Sequence, residues 1–319
     1  MKKYLLIFCL IITGALIAQS ADLTIKSDKQ SFSNDANKGK FEGNVEVQID
    51  DIHVKSPYAE ATINAIEGKL DEATFFDKPY AFQIKDGKKS EIKSNILKVS
   101  LLRKVITAQG NAQTIVTTEK KPTAIITADT QEYNTNTNIM TATGNAIINY
   151  DDVSTYSEKA VAYLDKNNDL KEMQLVGNAK IERGENKLRA DKFMYKAQSE
   201  IAIANGNAYT DLTAENGDRI QVWSNYQQYD QKNNIVMASG NVKVHYKDYI
   251  AEGPKATIYP DKKTNKLNEV VFTGRAKITE TTRSIVADKI VMYMNPKNFF
   301  AEGNVVTSIR NIKDANTKK

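Results

Sequence analysis

What most constrains this chain is a short pattern that it repeats. In the clearest copy, Phe41-Glu42-Gly43-Asn44-Val45-Glu46-Val47-Gln48-Ile49, apolar and polar residues alternate around a Gly-Asn pair. Phe41, Val45, Val47 and Ile49 share one parity; Glu42, Glu46 and Gln48 take the other. A period of two predicts a β-strand with one dry and one wet face. Gly43 falls on the dry parity, where a missing side chain permits a kink, a bulge or close backbone approach.

The pair returns at Gly110-Asn111, Gly144-Asn145, Gly177-Asn178, Gly206-Asn207, Gly240-Asn241 and Gly303-Asn304, with a variant at Gly274-Arg275. A degenerate copy lies at Asp77-Lys78. Counting it, successive steps are 34, 33, 34, 33, 29, 34, 34 and 29 residues. Regular spacing of this length marks a repeat architecture rather than independent domains. A longer period contains the short one: Val45–Asp51, Ala146–Asp152 and Val242–Asp248 align, and their glycines stand 101 and then 96 residues apart. The chain reads as a block of about a hundred residues copied about three times.

Met1-Lys2-Lys3 and the apolar run Tyr4–Ala18 read as a secretory signal peptide, with a mature chain starting near Ala21. The run is short for a spanning helix, which needs about 20 apolar residues; an uncleaved anchor is the alternative. Cys9 is the sole cysteine, so no disulfide framework is expected. Lys2 and Lys3 lie in the leader, so 42 basic residues remain against 39 acidic, which does not point to nucleic acid.

From Phe41 to about Arg310 short strands alternate with turn signals such as Asp86-Gly87, Asn134–Asn138 and Asn233-Asn234. Ser157–Leu164 has some helical character, but its equivalents contain Pro57 and Pro254, so the alignment predicts strand. Leu23–Lys26 is a first strand, and residues 311–319 form a polar tail. Two before and two after each glycine the residues are mostly Ala and Val, with bulkier ones further along. Stacked units would bury this stripe as a filled core or as a groove left open for an apolar ligand.

Certain segments resemble the periplasmic lipopolysaccharide-transport proteins of the LptA/OstA family. They are Ile25–Ser31 followed by Gly39–Val45, Ala190-Asp191-Lys192, Ala287-Asp288-Lys289, and Ala301-Glu302-Gly303-Asn304-Val305. The resemblance runs over most of residues 21–310. It implies an all-β fold, an elongated twisted β-jelly roll of V-shaped antiparallel strands, whose apolar groove takes lipopolysaccharide acyl chains. It implies partners at the inner and outer membranes met by edge-strand pairing, and head-to-tail self-association. On that basis the open groove is expected, lined by Val45, Val47, Ile49, Ile148, Tyr150, Ile181, Val244, Tyr246, Phe272, Ile278 and Val305. Residues 23–26 and 305–310 are the expected docking edges.

The chain is longer than a single-block member, and a C-terminal barrel like that of the outer-membrane member is not expected within it. An inner-membrane-anchored, LptC-like component is an alternative if the leader is retained. A surface carbohydrate-binding or structural β-solenoid is another, with Tyr58, Tyr80, Tyr133, Tyr195 and Tyr229 as stacking candidates. No catalytic role, cofactor or metal is expected. His53 and His245 are the only histidines, and carboxylates follow turns, as at Asp50-Asp51 and Asp151-Asp152.

Overall fold

The computed structural model describes residues 23–33, 37–49, 51–64, 70–85, 87–119, 122–166, 169–213, 217–260, 267–294 and 297–310. The expected leader, the polar tail and the turn residues Asp50 and Asp86 lie outside the described residues.

Twenty-two strands account for nearly all of them. They are β1 (Leu23–Lys26), β2 (Lys29–Ser33), β3 (Lys38–Ile49), β4 (Ile52–Ile63), β5 (Leu70–Phe76), β6 (Tyr80–Lys85), β7 (Lys88–Lys93), β8 (Ile96–Ser100), β9 (Val105–Thr118), β10 (Ala124–Asn134), β11 (Ile139–Tyr150), β12 (Val153–Leu164) and β13 (Leu170–Arg183). Then follow β14 (Asn186–Lys196), β15 (Ile201–Thr213), β16 (Arg219–Asp230), β17 (Ile235–Tyr246), β18 (Tyr249–Pro260), β19 (Leu267–Thr279), β20 (Arg283–Met294), β21 (Lys297–Glu302) and β22 (Val306–Ile309). The described residues contain no helix, and Ser157–Leu164 lies within β12. Two compact units divide the chain at Gly177/Asn178, inside β13.

In the first unit each long strand bends at its corner into two arms. The first arm of β3, residues 38–42, pairs with β2 and the far half of β4; the second, residues 45–49, pairs with β1 and the near half of β4. Between the arms the register slips from Glu42↔Tyr58 to Val45↔Ser56, so β3 carries one extra residue there, a β-bulge. The degenerate copy at Asp77-Lys78 is a corner too. Both residues are left-handed, with φ of +61° and +63°, and they separate β5 on the first arm from β6 on the second. β5 then pairs with β8, and β6 with β7, before β9 resumes the two-armed form.

The second unit repeats this plan from β14 to β20. It ends with β21 on one arm of β20 and β22 on the other.

The corner explains the glycine. Gly144 and Asn145 have φ of +79° and +48°, a region open to Gly and tolerated by Asn. Space forbids a side chain as well: a Cβ on Gly144 would stand 2.1 Å from Asp129 Oδ2 and 2.8 Å from Asp129 Cβ. Asp129 is on the neighbouring strand, fifteen residues earlier, and the arrangement recurs. Asp28 packs on Gly43, Asn95 on Gly110, Glu158 on Gly177, Asp191 on Gly206, Asn225 on Gly240, Pro254 on Gly274 and Asp288 on Gly303. Where the partner is Asp, the corner Asn can tie to it: Asn44 Nδ2 donates to Asp28 at 2.9 Å, Asn207 to Asp191 at 3.0 Å and Asn304 to Asp288 at 2.7 Å.

Each partner follows a small residue, Ser27, Ser94, Ala128, Ser157, Ala190, Ser224, Gly253 or Ala287, and Ser56 before Pro57 has the same place in β4. Ser27, Ser56, Ser94 and Ser224 donate their hydroxyls to the carbonyl two residues on, at 2.9–3.1 Å. The long odd strands therefore bend at Gly-Asn, or at Gly-Arg in β19, and the even ones at a small residue followed by Asp, Asn, Glu or Pro.

The residue two past the corner is fully buried at Val45, Ala112, Ala146, Ala179, Ala208, Val242 and Ala276. Small side chains are selected there because the arms converge at the bend.

Candidate functional site

The dry faces of the two arms look at each other. In the first unit one cavity is lined from the first arm by Phe41, Ala59, Phe75 and Leu97, and from the second by Val47, Ile49, Val54, Ala81 and Ile92. Its volume is about 70 Å³. A second cavity of about 50 Å³ lies further along, among Ile106, Ala108, Ile126, Ala142, Ile148 and Met173. Spaces of this size admit a handful of water-sized groups. The walls are apolar, and buried side chains occupy most of the interior.

One polar feature crosses this interior. Gln131 donates its amide to the carbonyls of Ala112 and Ile126, both at 3.0 Å, and accepts from the Thr114 hydroxyl. The second unit repeats it: Gln227 donates to the carbonyls of Ala208 and Val222 at 3.3 Å and accepts from Thr210. The register slips at these corners, and the amides hydrogen-bond carbonyls near the bulge.

In the second unit Val242, Val244, Tyr246, Ala251, Phe272, Ala276, Ile278, Ile290 and Met292 form one core cluster. A wider cavity of about 360 Å³ opens beside it, among Tyr246, Tyr249, Arg283, Met292, Tyr293, Asn298 and Phe299.

The residues expected to line a groove take different stations. Val45, Val47, Ile148, Val244, Tyr246, Phe272 and Ile278 are buried on the inner faces. Phe272 is 0 % exposed and presents no surface to an internal ligand in this state. Ile49 borders the 70 Å³ cavity, while Tyr150 and Ile181 are half-buried. Val305 departs from the expected inner-face position: it is 48 % exposed, in the break between β21 and β22. Parity predicts a dry position for it, but β22 pairs only with β20 among the described residues, so no further strand covers it.

The expected edges are open strands. β1 pairs only with β3, and β22 only with β20, among the described residues. Val306, Ile309 and Phe300 are exposed at the C-terminal edge and Phe32 near the N-terminal one.

The outer face holds features that parity analysis missed. Trp223, the sole tryptophan, lies between Tyr209 and His245, with ring centroids at 5.1 and 4.8 Å. Beside them the Arg219 fork holds the Asp211 carboxylate, keeping its pKa well below the ordinary range. His53 stacks on Phe82 in the first unit. The five tyrosines weighed as a sugar-stacking row do not form one: Tyr133 and Tyr195 are buried, and Tyr229 donates to Asn234 at 3.0 Å. Among the described residues no group of three His, Cys, Asp or Glu side chains is placed to hold a metal.

Residues 125–222 match the family model of the LptA/(LptD N-terminal domain) LPS transport proteins. No curated protein matches the sequence. Among 26 matching solved chains is LptH of Pseudomonas aeruginosa, described as the LptA-homologous periplasmic component of the lipopolysaccharide transport device. It is 12 % identical, with 39 % of this chain and 83 % of that one covered, at a TM-score of 0.34. A likeness that low carries no weight for function. The corners at Gly144, Gly177 and Gly206 lie inside the matched segment. Over residues 125–222 the chain is thus similar to the LptA/LptD N-terminal domain of lipopolysaccharide-transport proteins, which are transport components and not enzymes.

Proposed function

We propose that this protein is a periplasmic carrier that shields the acyl chains of lipopolysaccharide between the two arms of its bent strands. It would pass them from the inner towards the outer membrane. The observation that carries the reading is the facing of two apolar sheet surfaces, hinged at repeated corners, in a chain whose middle third matches a lipopolysaccharide-transport domain. Apolar surface left in water costs about 25 cal/mol per Å², so several exposed acyl chains are prohibitive without a shield. Walls of Ala, Val and Ile bind without direction, so a chain can slide along them.

The narrow cavities add a condition: an acyl chain enters only as the arms part or the side chains repack. Occupancy therefore replaces side-chain contacts with ligand contacts rather than filling a standing void. The exposed apolar residues on the terminal strands suit strand addition by a partner of the same fold.

The test is to purify the chain from Ala21 onward, extract it with solvent and look for lipopolysaccharide by mass spectrometry. A photo-cross-linker at Ile181 should capture the lipid, and one at Lys243 on the outer face should not. Val244→Asp, if circular dichroism shows it folded, should carry less. Absence of lipid from the purified protein, and none taken up on incubation, would end the carrier reading.

A further inference from the structure

The 360 Å³ cavity in the second unit differs in kind from the two in the first. Its volume falls in the range of ligand pockets, about 300–1,000 Å³. Its walls come from both arms. Tyr246, Tyr249 and Arg283 stand at the outer ends of second-arm strands, and Met292, Tyr293, Asn298 and Phe299 at the outer ends of first-arm strands. Tyr246 and Met292 belong to the apolar core, and Tyr249 and Phe299 pack against it, so the cavity continues the interior outward.

The rim is charged. The Arg283 guanidinium lies 4.9 Å from the Phe299 ring centroid, across the mouth from its own arm. Its Nε and Nη2 hold the Glu280 carboxylate, and among the described residues no hydrogen bond engages Nη1. Lys247 is 2.7 Å from Asp218, which also accepts from Tyr246 at 3.0 Å.

We infer that this mouth seats the phosphorylated sugar end of lipid A. Arg283 holds a phosphate, the sugar ring lies against the tyrosine faces, and the first acyl carbons meet Phe299 and Met292. A guanidinium suits a phosphate because its planar fork offers parallel N–H donors. The Glu280 pair does not block this, since it occupies one edge of the fork and the Arg283 side chain is 44 % exposed. The aromatic walls give the ring of an amphiphile an apolar bed with hydroxyl edges. The inference rests on the carrier reading and adds to it a place and a chemistry for the head group.

The experiment compares binding of lipid A, and of the same lipid with its phosphates removed, to the full mature chain. Arg283→Ala, Arg283→Lys and Lys243→Ala are measured beside the unaltered protein. Arg283 is an exposed ion-pair residue, so its removal leaves folding nearly unchanged. The expected result is that Arg283→Ala weakens binding of the phosphorylated lipid by about tenfold or more and leaves the dephosphorylated lipid unaffected. Arg283→Lys should recover part of the loss, and Lys243→Ala should match the unaltered chain. Equal binding of both lipids by every variant would overturn the head-group site and leave the carrier reading standing. Failure of either lipid to bind the unaltered protein would overturn both.

Discussion

Gly144→Ala tests the account of the corner. Two costs are expected. A left-handed φ of +79° is strained for any residue with a Cβ, by about 1–2 kcal/mol. The new methyl would also sit 2.1 Å from Asp129 Oδ2 and 2.8 Å from Asp129 Cβ. The carboxyl can rotate away; the Cβ is fixed to the backbone of β10, so the strands themselves must shift. The summed penalty should be about 3–4 kcal/mol, comparable to the larger single-residue losses known in proteins. Gly87 is the control. Its φ of +71° is close, yet nothing stands within 4 Å of a Cβ built there, so Gly87→Ala should cost only the backbone part, about 1–2 kcal/mol. Both variants would be unfolded in urea with far-ultraviolet circular dichroism as the readout. Combining Gly144→Ala with Asp129→Gly clears the space and should return most of the difference between them. Equal losses for Gly144→Ala and Gly87→Ala, or no recovery in the double variant, would refute the claim that close approach to Asp129 sets this glycine.

Further outcomes follow from the buried polar groups. Gln131→Leu should lower stability by about 1–3 kcal/mol, because it strips the carbonyls of Ala112 and Ile126 and the Thr114 hydroxyl of their partner at once; denaturation midpoints would show it, and a neutral result would reduce the amide to filler. Tyr195 is buried, its hydroxyl meets no partner among the described residues, and burial pushes its pKa to about 12. The unfolded phenol ionises near 10, so its contribution is intact below that pH and lost as pH climbs towards 12. Between pH 8 and pH 11 Tyr195→Phe should therefore gain on the parent by about 1.4 kcal/mol, in paired urea titrations.

Much of the fold could be read from the residues. The alternation in Phe41–Ile49 names a strand and its dry face, and the structure buries Phe41, Val45 and Val47 accordingly. The spacing located every corner of the Gly-Asn type, including its degenerate copy at Asp77-Lys78, where no glycine stands. The even-strand corners were equally legible, since a small residue and a short polar or proline partner lie fifteen to twenty positions before each glycine. They were overlooked because Ser-Asp or Ala-Asp alone is too common to stand out without its spatial partner.

Alternation of side chains is a local consequence of extended backbone geometry, so the chain by itself determined strands, faces, bends and their period. How full the interior would be was decided only by tertiary structure. Two dry faces define a core or a groove alike, and the difference is the distance between arms brought together by contacts far apart in sequence. The same cause exposes Val305, whose parity is dry but whose strand is the last. It also gathers Arg283, Tyr246 and Phe299 around one mouth, because three residues spread over more than fifty positions meet only when the arms fold towards each other.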